Sequence, residues 1–109
     1  MQRVAQIIRL KPEAIEEYKR IHAAVWPGVL AQIADSGIRN YSIFLREPEN
    51  LLFAYFEYHG DDLAADMARM ADDPTTQEWW KITDPMQSAL ETVGDGEWWA
   101  AAEEVFHID

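Results

Sequence analysis

A phenol, an imidazole and an indole recur at four-residue spacing in Tyr18-x-x-x-His22-x-x-x-Trp26. On a helix these side chains share one face. A hydroxyl beside an imidazole can bind a neutral polar molecule and move a proton on it. His22 is the natural proton donor, because an imidazole changes charge near neutral pH. Trp79 and Trp80 add flat apolar walls, and as helix neighbours they point about 100° apart, so one can pack inward while the other faces a ligand. Tyr41, after the polar Arg39-Asn40, can offer its hydroxyl to the same place. Together these residues describe a small pocket for something like a sugar. The same pattern also arises without a ligand, with Tyr18 and His22 as polar-tipped members of a core stripe. Tyr41 would then cover the sheet, and the two indoles would fill a core or an interface. The polar Lys81, Thr83 and Asp84 beside the indoles suit a pocket rim better than a dry core.

The elements that must hold these groups can be read from apolar spacing. Val4 to Leu10 reads as a strand. Lys11-Pro12-Glu13 starts a helix, because proline is pre-set for a first turn and acids suit its positive end. The helical pattern runs through Ile15, Tyr18, Ile21, His22 and Val25 until Pro27-Gly28 breaks it. A second piece with Val29, Leu30 and Ile33 stops at Gly37. Ile38 to Leu45 and Leu51 to Tyr58 read as a hairpin across Glu47-Pro48-Glu49-Asn50. In the first of these strands Tyr41 and Ile43 face one way, and Asn40, Ser42 and Phe44 the other. The second is apolar at most positions and reads as a central strand covered on both faces. A helix from Asp61 to Met70 can be capped by Asp61 or Asp62, and Asp73-Pro74 starts another that ends at Asp84-Pro85. Trp98-Trp99 read as interface or tail packing, and Glu103 to Ile108 as a last strand. The order strand, helix, strand, strand, helix, strand is the ferredoxin-like βαββαβ arrangement of the α+β class. One sheet face carries the helices. The other needs a cover, and a second copy in a homodimer is the simplest one.

Residues 1–109 amount to one domain. The net charge of -11 opposes nucleic acid and anionic membrane as partners and disfavours a phosphorylated substrate. A small neutral ligand meets no such barrier. Without cysteine there is no disulfide scaffold and no thiolate chemistry. His22, His59 and His107 are too dispersed to hold a metal, and no glycine-rich phosphate loop occurs. The first ten residues lack the apolar core of a signal peptide, and no segment nears the ~18 apolar residues of a membrane span. A cytoplasmic protein is the expectation.

Several stretches, in order and nearly end to end, resemble the L-rhamnose mutarotase family. They are Glu16-Glu17-Tyr18-Lys19-Arg20-x-His22, Val25-Trp26-Pro27, Asn40-Tyr41-Ser42-Ile43-Phe44-Leu45 and Asn50-Leu51-Leu52-Phe53-Ala54. Gln77-Glu78-Trp79-Trp80-Lys81-x-Thr83-Asp84-x-Met86 and Glu103-Glu104-Val105-Phe106-His107 complete the match. The resemblance implies a dimeric α+β barrel of ferredoxin-like subunits. It implies interconversion of the α and β anomers of a 6-deoxy-hexose without cofactor or metal. His22 would be the general acid, and Tyr18, Tyr41, Trp79 and Trp80 would bind the sugar. For the base, Asp84, a second protonation state of His22 and a bound water are all open. Asp61 to Thr76 departs from the family's pattern, so the sugar is L-rhamnose or a relative such as L-fucose. Two other readings fit the same architecture: a cofactor-free monooxygenase, and a non-catalytic sugar-binding module.

Overall fold

Strand β1 (Gln2–Leu10) enters helical structure through a single 3-10 turn at Pro12–Ala14, then α1 (Ile15–His22) and α2 (Pro27–Asp35). The hairpin β2 (Ile38–Arg46) and β3 (Leu51–Tyr58) follows, then α3 (Leu63–Ala71) and α4 (Pro74–Thr83). A second 3-10 turn at Asp84–Met86 leads to β4 (Gln87–Ser88), and β5 (Ala100–Ala102) is the last strand. This architecture is that of a computed structural model describing residues 1–109. The sheet order is β2-β3-β1-β4, antiparallel throughout, with β5 also paired to β1. The expected α+β, ferredoxin-like arrangement is present, with each helical region divided in two at a proline.

The helix breaks follow local chemistry. Trp26 is extended (ψ 135) ahead of Pro27, so α1 and α2 cannot merge. α2 ends at Gly37, whose φ of +82 suits a residue without Cβ. Asp62 caps α3 by accepting from the Ala65 N–H at 3.1 Å. Asp73 caps α4 by accepting from both the N–H and the hydroxyl of Thr76, each at 2.9 Å.

The helix-side face of the sheet carries two apolar clusters. Ile8, Leu10 and Leu52 pack with Ile15 and Tyr18 of α1. Ile38, Phe56 and Tyr58 pack with Ile33 of α2 and Leu63, Met67 and Met70 of α3. Tyr58 also ties the second cluster together through its hydroxyl. That group accepts from the Asp62 N–H at 2.9 Å and donates to Asp66, which pairs with Arg69.

Three features stand out against the sequence reading. The faces expected for Tyr41 and Ile43, against Asn40, Ser42 and Phe44, hold, but a bulge between Arg39 and Ser42 inserts a residue and puts Ile38 out of phase with them. Asn40 takes a positive φ of 50 there. The bulge lets Ile38, ahead of it, Tyr41, within it, and Ile43 and Leu45, beyond it, all address the helix side of the sheet. β3 is central, but only one of its faces is covered: Leu52, Ala54, Phe56 and Tyr58 are buried, whereas Phe53 is exposed. Finally, Glu103 to Ile108 joins no sheet, and its apolar residues Val105, Phe106 and Ile108 are exposed. Ala100–Ala102 pairs with β1 instead. Alanine is a weak strand former, so the pairing is set by the open edge of β1 rather than by propensity. No helix is long and apolar enough to cross a membrane.

Because α4 carries Trp79 to the site, its cap matters. Asp73→Ala should cost about 1 kcal/mol of stability, read from urea unfolding. An unchanged midpoint would mean that tertiary packing alone holds the helix start.

Candidate active site

α1 sets Tyr18 and His22 one turn apart, and their rings stack at 4.0 Å with planes 24° apart. Nδ1 of His22 lies 2.8 Å from the Tyr18 carbonyl oxygen. A carbonyl only accepts, so Nδ1 carries the hydrogen and Nε2 holds the free lone pair of the neutral ring. Burial lowers the His22 pKa below its ordinary 6.5, while the hydrogen bond to the carbonyl acts the other way. The net effect keeps the imidazole neutral near pH 7, with Nε2 able to take a proton.

Tyr18 is almost fully buried, at 5% exposure. Desolvation is the main cause that raises its pKa; the neighbouring Tyr41 adds to it, and a hydrogen bond from Gln87 opposes it. Tyr41 stands within the bulge of β2, its ring tilted against Phe56 at 5.5 Å between centroids. Its side chain keeps 39% exposure, yet desolvation pushes the phenol up to about 12. The two facts agree if the ring edge reaches solvent while the oxygen lies among protein atoms. Both phenols therefore stay protonated near neutrality and serve as donors.

Between α1 and the sheet lies a cavity of about 320 Å³. Tyr18, Lys19, His22 and Ala23 form its helix side, and Leu10, Ile43, Leu45 and Leu52 its floor. Ligand sites of roughly this size combine apolar walls with a few polar tips. The aliphatic floor differs from the indole walls expected from sequence. Trp79, 6% exposed, instead stands behind His22, edge-on to the imidazole at 5.4 Å and to Trp26 at 5.1 Å. It faces a second hollow of about 390 Å³ shared with Trp26, Ile82 and Met86. Trp80 is half-buried and lines neither space. Asp84 is exposed at the end of α4 and also lines neither, although desolvation raises its carboxyl. The fold thus brings Tyr18, His22 and Trp79 together, sets Tyr41 against Phe56 outside the cavity lining, and leaves Trp80 and Asp84 at the margin.

Two further residues join Tyr18: Gln87, which sequence reasoning passed over, and Trp98, which it read as interface or tail packing. Gln87, on β4, donates from Nε2 to the Tyr18 hydroxyl oxygen at 3.3 Å. Trp98 donates from Nε1 to Gln87 Oε1 at 3.0 Å. Gln87 lies 69 residues from Tyr18, so no local pattern could have flagged it.

These residues sit in a chain with clear relatives. The profile of the L-rhamnose mutarotase family matches residues 3–108. An L-rhamnose mutarotase from Oceanobacillus iheyensis is 32% identical over 109 residues, covering all of both chains. The crystal structure of an L-rhamnose mutarotase from Formosa agariphila superposes with a TM-score of 0.80 at 26% identity, again over all of both chains. Tetracenomycin F2 cyclase from Streptomyces glaucescens shares the fold alone, with a TM-score of 0.73 at 17% identity over 100% of this chain and 98% of that one. By its full-length match, this chain belongs to the L-rhamnose mutarotase family.

Proposed function

We propose that the protein interconverts the α and β anomers of L-rhamnose, or of a closely related 6-deoxy-hexose, in the cavity beside Tyr18 and His22. One observation carries the reading: a neutral imidazole with a defined free nitrogen sits beside the protonated Tyr18 phenol at an aliphatic cavity, in a chain matched end to end by this family. Mutarotation needs a group that takes the anomeric hydroxyl proton and a donor at the ring oxygen. The C1–ring oxygen bond breaks, C1 turns, and the ring closes on the other face with the protons returned. Nothing is gained or lost overall. His22 Nε2 serves as the base on opening and, once charged, as the acid that gives the proton to the ring oxygen. Tyr18 and Tyr41 hold sugar oxygens by donation, and the aliphatic floor takes the methyl group and C–H faces. Trp79 keeps the imidazole in place from behind. Asp84, exposed and outside the cavity, is not needed as the base in this scheme.

The cover of the sheet's second face belongs to the same reading. Only 15 of 109 residues are buried, a small core for this length, and Phe44 (63% exposed) and Phe53 (39%) lie side by side on the open face. Ile7 pairs with Phe53 on the neighbouring strand. A contiguous apolar patch of this kind marks an interface. A second copy packed face to face would bury it in a homodimer, which supports the assembly expected from sequence.

Anomer exchange measured by saturation-transfer NMR tests the activity. Wild type should accelerate exchange in L-rhamnose, with L-fucose as the comparison sugar, and His22→Ala should lose about 10²–10⁴-fold. Exchange no faster than the spontaneous rate with either sugar would end this reading. The lowered His22 pKa also has a thermodynamic consequence. The unfolded chain takes up this proton near 6.5, before the folded one does, so His22 weakens the fold as pH falls through 6.5 toward its folded pKa. Urea unfolding at about pH 7.5 and about pH 5.5 should show a smaller acid loss for His22→Gln than for wild type. Equal losses would place the imidazole in solvent. Light scattering should give twice the chain mass for wild type and a single chain for Phe53→Glu, whose carboxylate cannot be buried unpaired. A monomeric wild type at micromolar concentration would contradict the face-to-face packing.

A further inference from the structure

The hydrogen bonds around Gln87 have a fixed polarity. An indole N–H can only donate, so the Trp98 Nε1–H at 3.0 Å must meet the Gln87 amide oxygen. That leaves the amide NH₂ to face Tyr18, 3.3 Å from its hydroxyl oxygen. The phenol oxygen is thereby an acceptor on this side, and its own hydrogen is claimed by no protein group. Gln87 is 5% exposed, and its backbone is held by the pairing of β4 with β1 at Leu10. Trp98 is 40% exposed and belongs to the segment between β4 and β5. The chain of donors therefore runs from the surface inward, Trp98 to Gln87 to Tyr18, and ends on a hydrogen free to donate to a ligand.

We infer that Gln87, oriented by Trp98, is a positioning residue that makes Tyr18 a hydrogen-bond donor to the sugar. This rests on the mutarotase reading above. With the amide reversed, the Tyr18 hydrogen would turn to the amide oxygen, and the phenol would present only lone pairs to the cavity. A sugar ring oxygen only accepts, so that arrangement would deprive it of the Tyr18 hydrogen bond while negative charge develops on it, before His22 delivers its proton. The indole prevents the reversal, since a flipped amide would set its NH₂ against the N–H of Trp98.

Gln87→Glu tests the polarity with almost no change of shape. A carboxylate accepts from both Trp98 and Tyr18 and so draws the phenol hydrogen away from the cavity. Exchange catalysed by Gln87→Glu should be slower than wild type by about tenfold at about pH 8. The ratio of wild type to variant should shrink as pH falls, because a protonated Glu side chain again donates to Tyr18. A damaged fold would lower the rate by a factor that does not follow this titration. A ratio near one throughout, or a loss that does not change with pH, would overturn the inference. Trp98→Phe provides the second arm at an exposed position, should the buried carboxylate prevent folding. It frees the amide to turn and should slow exchange several-fold at an unchanged melting temperature; full wild-type exchange in this variant would equally overturn the inference. Wild type is the control that separates the two levels. No exchange by wild type removes the mutarotase reading and this inference together, whereas active wild type with indifferent variants removes this inference alone.

Discussion

One-sided burial of a small antiparallel sheet is the constraint from which the site follows. Ile8 and Leu10 of β1 and Leu52, Ala54, Phe56 and Tyr58 of β3 must leave water, and four short helices, with Met86 and Trp99 beside them, cover that side. Alternation along the strands sends every second residue to those helices. α1 meets this face with Ile15 and Tyr18, so its apolar stripe is held against the first cluster. His22, one turn further on the same face, is then carried to the edge of the cluster, where the cavity opens. Core packing and site placement are the same contact. The second cluster, under α2 and α3, is tied to the start of α3 by the Tyr58 hydroxyl and its Asp66 partner.

Desolvation acts on the site in two directions. It lowers the imidazole, whose charged form is the cation, and raises the phenols, whose charged form is the anion. All three groups are thereby kept neutral near pH 7, which suits a substrate without charge. The pair also divides the labour by chemistry. The carbonyl of Tyr18 fixes the imidazole tautomer, leaving one nitrogen that accepts, and Gln87 occupies the Tyr18 oxygen, leaving one hydrogen that donates. Acceptor and donor come from residues four apart on one helix, so their relation survives any small movement of the helix on the sheet.

The same backbone serves other chemistry. A polyketide cyclase at 17% identity shares this architecture, so the architecture by itself names no reaction. The chemistry has to be argued from the side chains that α1, α4 and β4 bring together around Tyr18 and His22.

Much of this was legible in the amino-acid sequence, for a local reason. Helix and strand periods, the breaks at Pro27 and Pro74, the stop at Gly37 and the capping by Asp62 and Asp73 depend on residues within a few positions of one another. Tyr18 and His22 belong to the same class, since a four-residue spacing on a helix already makes them neighbours. The bulge at Asn40 was not legible, because it is a mismatch between two strands and has meaning only once they are paired. Nor was the last strand: the apolar residues of 103–108 carried the stronger local signal, but the free edge of β1 took Ala100–Ala102. The aliphatic floor of the cavity, the retreat of Trp79 behind His22 and the position of Asp84 outside it are likewise products of packing. By itself, then, the sequence determined the class of fold, the elements as far as α4 and the helical pairing of Tyr18 with His22. The tautomer of His22 is fixed within α1 by the Tyr18 carbonyl. Tertiary structure alone decided the polarity of the Tyr18 hydroxyl, because its partners Gln87 and Trp98 lie near it in space but far from it along the chain.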